Sequence, residues 1–489
     1  PIPGLETIDK RSKPATAYTQ TMNRELLQQL PFSDRQDFDN ATRGFIATNK
    51  GARTIDANGA TVFSLEGMRF LEGDAPDTVN PSLWRQAQLN ALLHGRFEVE
   101  EGIYQVRSFD LANMTLIRGT TGWIIIDPLL TSETAAAALA LANRELGERP
   151  VTAVVFTHSH IDHFGGVAGV VTPQDIASGK IPLIAPKGFS AEALSENLRA
   201  GNVMQRRAAY QFGSLLPDSA TGFVSTGLGN KTAEGEIIPI APNQVVPEEG
   251  ATLILDGVEF EFMNTPGAEA PAELIFYLPA WRALSMAELA THTLHNIYTL
   301  RGAKTRDANL WSQHIQRAID TWGSNTDVVF ASHHWPTWGQ EDALDYLHSQ
   351  RDLYKYIHDQ TLRLANHGYT MVEIAEQIEL PDALANRFAN RGYYGTVNHG
   401  VKAVYNYYLG WFDGNPSNLH PLPAQTSASK YIEYMGGSRA ILERAAKDQA
   451  AGQYRWVAEV LRHLVFAEPD NETARYLLAD SYEQLGYQA

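Results

Sequence analysis

One short stretch constrains the fold of this chain more than any other: an apolar, β-branched run that ends in a cluster of histidines. Residues 151–156 read Val-Thr-Ala-Val-Val-Phe, which is typical of a buried β-strand. The residues that follow bring together three imidazoles and one carboxylate, at His158, His160, Asp162 and His163. Such side chains at the end of a buried strand predict a layered α/β protein whose functional site lies in the loop after that strand.

The chemistry of this cluster predicts a metal site. Imidazole nitrogens and carboxylate oxygens are ligands that suit zinc and similar ions. His158 and His160 are two residues apart and can point together from an extended segment. Asp162 and His163 follow after a turn and can face a second ion. The glycine pair 165–166 lets the backbone pass close by without a Cβ clash. The alternative, four unrelated polar residues in a surface loop, is a weak explanation for a cluster this dense.

The cluster resembles the HxHxDH signature of the metallo-β-lactamase superfamily, whose αββα sandwich carries a metal site at one edge. Later segments narrow the resemblance to the zinc alkyl sulfatases of that superfamily, over roughly residues 100–489. They are Thr291-His-Thr-Leu-His-Asn, Leu300-Arg-Gly-Ala, His333-His-Trp-Pro and the segments 350–360, 391–396 and 408–416, with glutamates at 269 and 288. One departure is Thr226, because family members often carry asparagine before the Gly-Leu-Gly that follows, and this puts sulfate contacts from that loop in doubt.

The resemblance implies two zinc ions per chain and names their ligands. Glu269 takes the place of a histidine ligand of the broader superfamily, and Glu288 takes the place of a metal-bridging aspartate. Taken alone, either glutamate would be interpreted as a solvated surface carboxylate. His333 follows the predicted strand 327–332, with His334 as the alternative. The implied sets are His158, His160 and Glu269 for one ion, Asp162, His163 and His333 for the other, and Glu288 shared between them.

Asp127 ends an apolar strand directly before a proline. Two interpretations stay open for its carboxylate: it ends the strand in a turn, or it orients the metal-binding loop by hydrogen bonds. The superfamily resemblance favours the second interpretation.

A basic loop follows Glu288 and predicts contact with an anion. It contains His292, His295 and Arg301. Arg301 offers a planar fork of N–H donors to sulfate oxygens. His295 is the favoured general acid, since imidazole titrates in a suitable range. The alternatives are that His295 is structural, or that His292 or His399 donates the proton.

Aromatic residues crowd the segment 390–423, and we interpret most of them as core. Tyr394 and His399 are the two candidates for reaching back to the pocket. The segment 216–250 is rich in Gly, Pro, Ser and Thr, and a loop of that length predicts a pocket lining.

These inferences predict an enzyme, a zinc-dependent sulfuric ester hydrolase that cleaves alkyl sulfate esters to an alcohol and inorganic sulfate. The substrate is expected to be a small molecule, either a primary ester such as dodecyl sulfate or a secondary ester. Two alternatives stay open: a di-metal hydrolase of a phosphodiester or lactone, and a non-catalytic scaffold whose helical tail binds a partner. The basic loop 292–301 disfavours a lactone, because a neutral substrate has no use for it.

Composition limits the partners and the compartment. The net charge of −17 argues against nucleic acid as a partner. The sequence contains no run of 18 apolar residues, so stable membrane insertion is not expected. There is no cysteine, which excludes a thiolate zinc site, a cysteine nucleophile and disulfides. A chain without cysteine suits an oxidising compartment, so a periplasmic or secreted protein is expected.

At 489 residues the chain is too long for one typical core, so at least two domains are expected. We predict a catalytic domain with an N-terminal extension at residues 1–340 and an all-α domain at residues 341–489. The pattern of residues 438–485 predicts hairpins of tetratricopeptide type, with Gly486 ending the last helix. In the related sulfatases such a domain dimerises, so a homodimer is expected. Those relatives continue into a sterol-carrier-protein-like domain, so a truncated form is expected here.

Overall fold

Two β-sheets packed face to face form the centre of the protein, whose computed structural model describes residues 9–489. The first sheet has eight strands, the second has six, and β2 pairs with β3 in a separate hairpin. The strands are, in chain order, β1 (Phe45–Ala47), β2 (Arg53–Ile55), β3 (Thr61–Ser64), β4 (Gly95–Glu100), β5 (Ile103–Arg107), β6 (Met114–Arg118), β7 (Trp123–Ile126), β8 (Val151–Val155), β9 (Leu183–Pro186), β10 (Gln244–Val246), β11 (Ala251–Leu255), β12 (Val258–Asn264), β13 (Leu274–Leu278), β14 (Ala283–Ser285), β15 (Val328–Phe330) and β16 (Thr337–Trp338).

Helices cover the outer faces of both sheets and form the C-terminal region. They are, in chain order, α1 (Ala17–Gln29), α2 (Gln36–Thr42), α3 (Pro81–Ala91), α4 (Ser132–Leu146), α5 (Pro173–Ala177), α6 (Phe189–Leu194), α7 (Gly201–Phe212), α8 (Ala308–Trp322), α9 (Gln340–Asn366), α10 (Met371–Gln377), α11 (Asp382–Ala385), α12 (Val397–Leu409), α13 (Ala424–Tyr434), α14 (Ser438–Ala450), α15 (Tyr454–Ala467) and α16 (Glu472–Gln488). A π-helical turn, Ser195–Arg199, connects α6 to α7. Over residues 9–489, none of these helices has both the length and the apolar character that crossing a bilayer requires.

The order of the strands explains why one edge of the sandwich carries the site. In the first sheet the order is β1-β4-β5-β6-β7-β8-β9-β10, and β7 to β10 are parallel. In the second sheet β11 to β16 follow chain order, and β14 is parallel to β15. Because parallel neighbours end at the same edge of a sheet, the loops after β7 and β8 meet there, as do those after β14 and β15.

The core between the sheets is apolar and closely packed. Ile124 and Val155 from the first sheet pack against Phe260, Phe276 and Phe330 from the second, and all five are buried. Strand β7 is buried along its whole length, as its continuous apolar sequence predicts for a strand covered on both faces.

Separate cores lie outside each sheet. Leu141 of α4 shares one with Val154 of the first sheet, and Trp311 of α8 shares another with Leu284 of the second sheet and Leu353 of α9. The same outer core continues into α10 and α12, so the helical region packs directly on the sandwich. The layers therefore run helix, sheet, sheet, helix, which confirms the predicted αββα sandwich followed by an all-α region.

Two details of the sequence-based prediction are wrong. Helix α16 continues through Gly486 to Gln488, because an interior glycine costs only about 1 kcal/mol and α16 packs against α1 and α15. Among the aromatic residues interpreted as core, Tyr407, Tyr408 and Trp411 are between 45% and 72% exposed. Tyr407 and Tyr408 lie in the last turn of α12 and Trp411 lies just beyond it, and a helical spacing in the sequence does not show whether another element covers such residues.

Candidate metal centre

The seven side chains predicted as ligands all lie just beyond a strand end at the same edge of the sandwich. Two follow β8, two lie in the 3₁₀ turn Ile161–His163, one lies between β12 and β13, one follows β14 and one follows β15. They are, in that order, His158 and His160, Asp162 and His163, Glu269, Glu288 and His333. The structure brings all seven together in two groups that share Glu288.

The first group consists of His158, His160, Glu269 and Glu288, whose ligand atoms lie within 4.8 Å of one another. Nε2 of His158 is 3.4 Å from Oε2 of Glu269 and 3.1 Å from Oε2 of Glu288. Nδ1 of His160 is 3.1 Å from Oε2 of Glu269. All four residues are buried, so these atoms surround an enclosed point that could hold one ion.

The second group consists of Asp162, His163, His333 and Glu288. Nε2 of His163 is 3.1 Å from Oδ2 of Asp162 and 3.0 Å from Oε2 of Glu288. Nε2 of His333 is 3.3 Å from Oε2 of Glu288. One oxygen of Glu288 therefore faces histidines of both groups, as a shared ligand must.

The hydrogen bonding of these residues fits bound metal. Among the described residues, the Nε2 atoms of His158, His163 and His333 and the Oε2 atom of Glu269 are buried without a hydrogen-bond partner. Buried polar atoms are rarely left unpaired, because losing water without replacement costs about 1–3 kcal/mol each. A cation in each group would satisfy these atoms, and the nitrogen and oxygen donors are of the kind that divalent metals take.

Asp127 fixes the geometry of the second group. Its carboxylate accepts hydrogen bonds from the backbone N–H and hydroxyl of Thr157, from the hydroxyl of Ser332 and from Nδ1 of His163 at 3.0 Å. Burial raises the pKa of Asp127, but the charge of His163 and these hydrogen bonds outweigh it and leave the pKa below its usual range. Asp127 thus both ends its strand and points Nε2 of His163 at the centre.

Two further buried carboxyl groups at this edge, Glu288 and Glu273, have pKa values shifted in opposite directions. Burial raises the pKa of Glu288, but the charge of His333 and the neighbouring imidazoles, including the hydrogen bond from His295, hold it well below its usual range. Burial, together with the charges of Glu269 and Glu288, raises the pKa of Glu273 well above its usual range. Glu273 is therefore favoured as a neutral neighbour, while Glu288 stays ionised, as a cation site requires.

The structure also shows which of the adjacent histidines, His333 or His334, faces the centre. Nδ1 of His333 donates to the backbone oxygen of Leu111 at 3.1 Å, which directs Nε2 to the centre. Nδ1 of His334 accepts from the backbone N–H of His292, and its Nε2 donates to the backbone oxygen of Gly227 at 3.0 Å. With both nitrogens engaged elsewhere, His334 supports the neighbouring loop instead of facing the centre.

The backbone around the centre is tight. A Cβ on Gly166 would lie 2.4 Å from the backbone oxygens of both Pro128 and Thr131, so only glycine fits this close approach. Ala287 and His334, which adjoin Glu288 and His333, have φ angles of 49° and 62°. Left-handed backbone at non-glycine residues costs of order 1–3 kcal/mol and persists where the surrounding packing holds it, commonly at functional sites.

Of the predicted catalytic residues, His295 contacts a proposed ligand directly, and Arg301 lies beside Glu196, which faces His160. Nε2 of His295 donates to Oε1 of Glu288 at 2.9 Å, and its ring meets Tyr394 edge-on with centroids 4.9 Å apart. Nη2 of Arg301 is 3.6 Å from Oε2 of Glu196, and its backbone N–H donates to Gln211 at 2.8 Å.

Tyr394 and His399 line one cavity of about 180 Å³ beside the centre. The Tyr394 hydroxyl accepts a hydrogen bond from Gln211 at 2.6 Å. His399 lies in the first turn of α12 and is exposed, so it faces the cavity from the solvent side. The other candidate acid, His292, is stacked between Trp335 and Tyr346, where its ring serves packing.

Sequence reasoning missed Arg306 and Glu196. Arg306 is buried, and its Nη2 donates to Oε1 of Glu269 at 2.6 Å. Glu196, in the π-helical turn, has an oxygen 3.7 Å from Nε2 of His160. Arg306 lies five residues beyond Arg301, the end of the basic loop, which was the available signal, whereas nothing in the local sequence distinguishes Glu196.

Comparisons with known proteins agree with this geometry. Residues 107–333 match the model of the metallo-β-lactamase superfamily, and residues 370–489 match that of alkyl sulfatase dimerisation. A linear primary-alkylsulfatase from Pseudomonas sp is 49% identical over 490 residues, which span 100% of this chain and 73% of the relative. This chain belongs to the alkyl sulfatase family.

Other members of the family extend the likeness over the same length. An (R)-specific secondary-alkylsulfatase from Pseudomonas sp is 44% identical, over 100% of this chain and 74% of the relative. The solved structure of the stereoselective inverting sec-alkylsulfatase Pisa1 from Pseudomonas sp. superposes with a TM-score of 0.96 and 44% identity, over 99% of this chain and 76% of that one. The predicted superfamily and family are therefore confirmed, and the family together with the histidine–carboxylate cluster indicates that this alkyl sulfatase binds metal.

Proposed function

We propose that this alkyl sulfatase uses two zinc ions to hydrolyse alkyl sulfate esters to an alcohol and inorganic sulfate. The observation that supports this most is the convergence of three buried Nε2 atoms, from His158, His163 and His333, on one oxygen of Glu288, with no hydrogen-bond partner for any of the three within residues 9–489. The relatives are named for primary and for secondary alkyl sulfates, so either ester is a candidate substrate.

The donor set supports zinc because each group offers four side chains, and all of them are imidazoles or carboxylates. The proposed ligands are His158, His160 and Glu269 for one ion, Asp162, His163 and His333 for the other, and Glu288 for both. Bound there, two divalent cations would supply positive charge and Lewis acidity to an anionic ester.

Arg301 is proposed to bind the sulfate group. Its Nε is buried and, within residues 9–489, has no hydrogen-bond partner, so this N–H is available to an anion, while Nη2 lies 3.6 Å from Oε2 of Glu196. A guanidinium presents these donors in a fixed plane that matches two oxygens of a tetrahedral anion. Gln211 holds the backbone of Arg301 and the hydroxyl of Tyr394 together, which fixes the edge of the site.

His295 is proposed to supply the proton. Its Nε2 donates a hydrogen bond to Oε1 of Glu288, which is one of the proposed ligands. Its Nδ1 lies 3.0 Å from both the backbone oxygen of Asn296 and Nη1 of Arg306, so the ring cannot turn without losing these contacts. The proton is thus held at a defined atom, which is what general acid catalysis requires.

The test combines metal analysis with sulfate release. The purified protein is expected to contain two zinc ions per chain by mass spectrometry and to release sulfate from dodecyl sulfate or a secondary octyl sulfate. The variants Asp162→Ala and His163→Ala should each lower the zinc content and abolish sulfate release, because each removes a proposed ligand. His420→Ala, at an exposed histidine outside the centre, is the matched control and should keep both. Full zinc and full activity in both ligand variants would refute the assignment.

The same preparation tests the rival functions. Hydrolysis of a nitrophenyl phosphodiester without sulfate release from any alkyl sulfate would favour a phosphodiesterase. Ring opening of a lactone would favour a lactonase, which the cationic Arg301 opposes. A protein that contains no metal would favour the scaffold.

We also propose that the chain forms a homodimer through its helical region and functions in the periplasm or outside the cell. The match of residues 370–489 to a dimerisation model supports the first proposal. Exposed aromatic side chains in that region, including Trp411 and Tyr434, are suited to a protein interface. The absence of cysteine supports the second.

A further inference from the structure

Helix α7 and its flanks form an exposed apolar surface beside the metal centre. Among the residues described, none of the twelve in α7 is buried. Leu198 is 73% exposed, Tyr210 82% and Leu215 86%, with Val203 and Leu216 also exposed. We call this set, Leu198, Val203, Tyr210, Leu215 and Leu216, the α7 surface. A twelve-residue helix gains little from its own hydrogen bonds, so a helix this exposed is expected to meet another surface.

The charge of the same segment is unlike that of the rest of the protein. Residues 197–216 contain three arginines, Arg199, Arg206 and Arg207, and no acidic residue, in a chain whose net charge is −17. All three arginines are exposed. An apolar helix surface flanked by arginines and free of carboxylates is typical of a helix that lies on an anionic, apolar interface.

Polar contacts fasten α7 to the rim of the centre. Arg207 donates to the backbone oxygen of Leu300 at 3.0 Å and to the hydroxyl of Tyr298 at 2.8 Å. Gln211 bonds Tyr394 and the backbone of Arg301, as described above. Anything that binds the α7 surface is therefore held next to the proposed sulfate-binding arginine.

A groove of about 620 Å³ adjoins this surface. Its lining includes Tyr210, Leu216, Phe223, Val224 and Tyr482. Lys10 and Arg11 lie at the same groove together with Asp480 and Glu483, so its polar lining carries both signs of charge.

We propose that the α7 surface docks onto aggregates of the substrate itself, that is, onto the anionic surface of alkyl sulfate micelles. This proposal rests on the proposed function, because it takes the amphiphilic ester as substrate. A micelle offers sulfate groups to the arginines and hydrocarbon to the exposed leucines and Tyr210, and docking there would place the centre where the substrate is concentrated. A second copy of the chain fits less well: the dimerisation match covers residues 370–489, and two copies of one basic surface would repel each other.

The absence of cysteine allows a direct test. The variant Leu215→Cys carries a single thiol, which is labelled with a fluorophore sensitive to polarity. The probe is a mixed micelle of dodecyl maltoside with about one tenth dodecyl sulfonate, whose C–S bond is not a sulfate ester. Ile254→Cys, at a 72% exposed position on β11, is the matched control.

We expect the Leu215 label to brighten several-fold with mixed micelles, weakly with pure maltoside micelles and less at high salt, while the Ile254 label stays unchanged. Adding Arg206→Glu to the labelled Leu215 variant should weaken the response at least fivefold. Equal responses at both labels, or none at Leu215, would overturn the proposal. Brightening with protein concentration alone would also overturn it, in favour of a second copy.

The control for the proposed function is separate. Turnover of hexyl sulfate, used as free monomers, should be unchanged in Arg206→Glu, because the α7 surface lies outside the catalytic centre. Failure of every variant and the parent to hydrolyse both hexyl sulfate and a secondary octyl sulfate would reject the proposed function. The micelle binding is scored without any turnover.

Discussion

Replacing Arg306 with methionine removes a buried guanidinium that holds Glu269 in place. The side chains of Arg306 and Glu269 are 4% and 1% exposed, and Nη2 donates to Oε1 at 2.6 Å. Nη1 also donates to the backbone oxygen of Asn296 at 2.6 Å. The change leaves a carboxylate buried without its cation and a backbone oxygen without its donor.

The expected loss of stability in Arg306→Met follows from these contacts. Removing one partner of a buried ion pair costs about 3–5 kcal/mol, because the remaining charge keeps its desolvation penalty. His160 lies 3.1 Å from the other oxygen of Glu269 and offsets part of that penalty. We therefore expect Arg306→Met to lower the free energy of unfolding of the metal-free protein by about 3 kcal/mol. Arg306→Lys keeps the charge but loses the planar fork, so its cost should be smaller.

A double-mutant cycle with Glu269→Gln isolates this interaction. Unfolding in guanidinium, followed by fluorescence with chelator present, compares Arg306→Met, Glu269→Gln and the double variant. The glutamine carries no charge, so the double variant should be more stable than the sum of the single changes predicts, by up to about 3 kcal/mol. If the stability changes of the two single variants add up to that of the double variant within about 0.5 kcal/mol, the reasoning is refuted, and Arg306 stabilises the loop in another way.

Two further predictions concern catalysis and assembly. His295→Gln should lower the rate of sulfate release by roughly 10²–10⁴-fold without changing the zinc content, and the loss should shrink for an ester whose leaving group needs no proton. Equal losses for good and poor leaving groups would make His295 a positioning residue. Light scattering of the intact chain at micromolar concentration should give twice the chain mass of 54.0 kDa. A mass of one chain would contradict the homodimer.

The local sequence was enough to find the metal-binding loop. A buried strand and its ligands are contiguous from Val151 to His163, so one window contains both the apolar run and the imidazoles. The remaining predicted ligands, Glu269, Glu288 and His333, came from the family resemblance. The structure places them in two groups because parallel strands of each sheet end at one edge.

The choice between neighbouring residues needed the tertiary structure. His333 and His334 are adjacent in sequence and chemically identical, and only the partners at Leu111 and Gly227 distinguish them. The same holds for Asp127, whose role depends on Ser332, 205 residues away along the chain.

Contiguous residues were enough to predict the ligands of the first loop, their spacing and the buried strand before them, because all three depend on residues close together along the chain. Tertiary structure alone decided that Arg306 pairs with Glu269 and that Glu196 faces His160, because those pairs form across separate loops. It also decided that α7 has no buried residue among those described. A periodic apolar pattern predicts that a helix has one face to bury, but whether anything covers that face depends on the positions of the other elements.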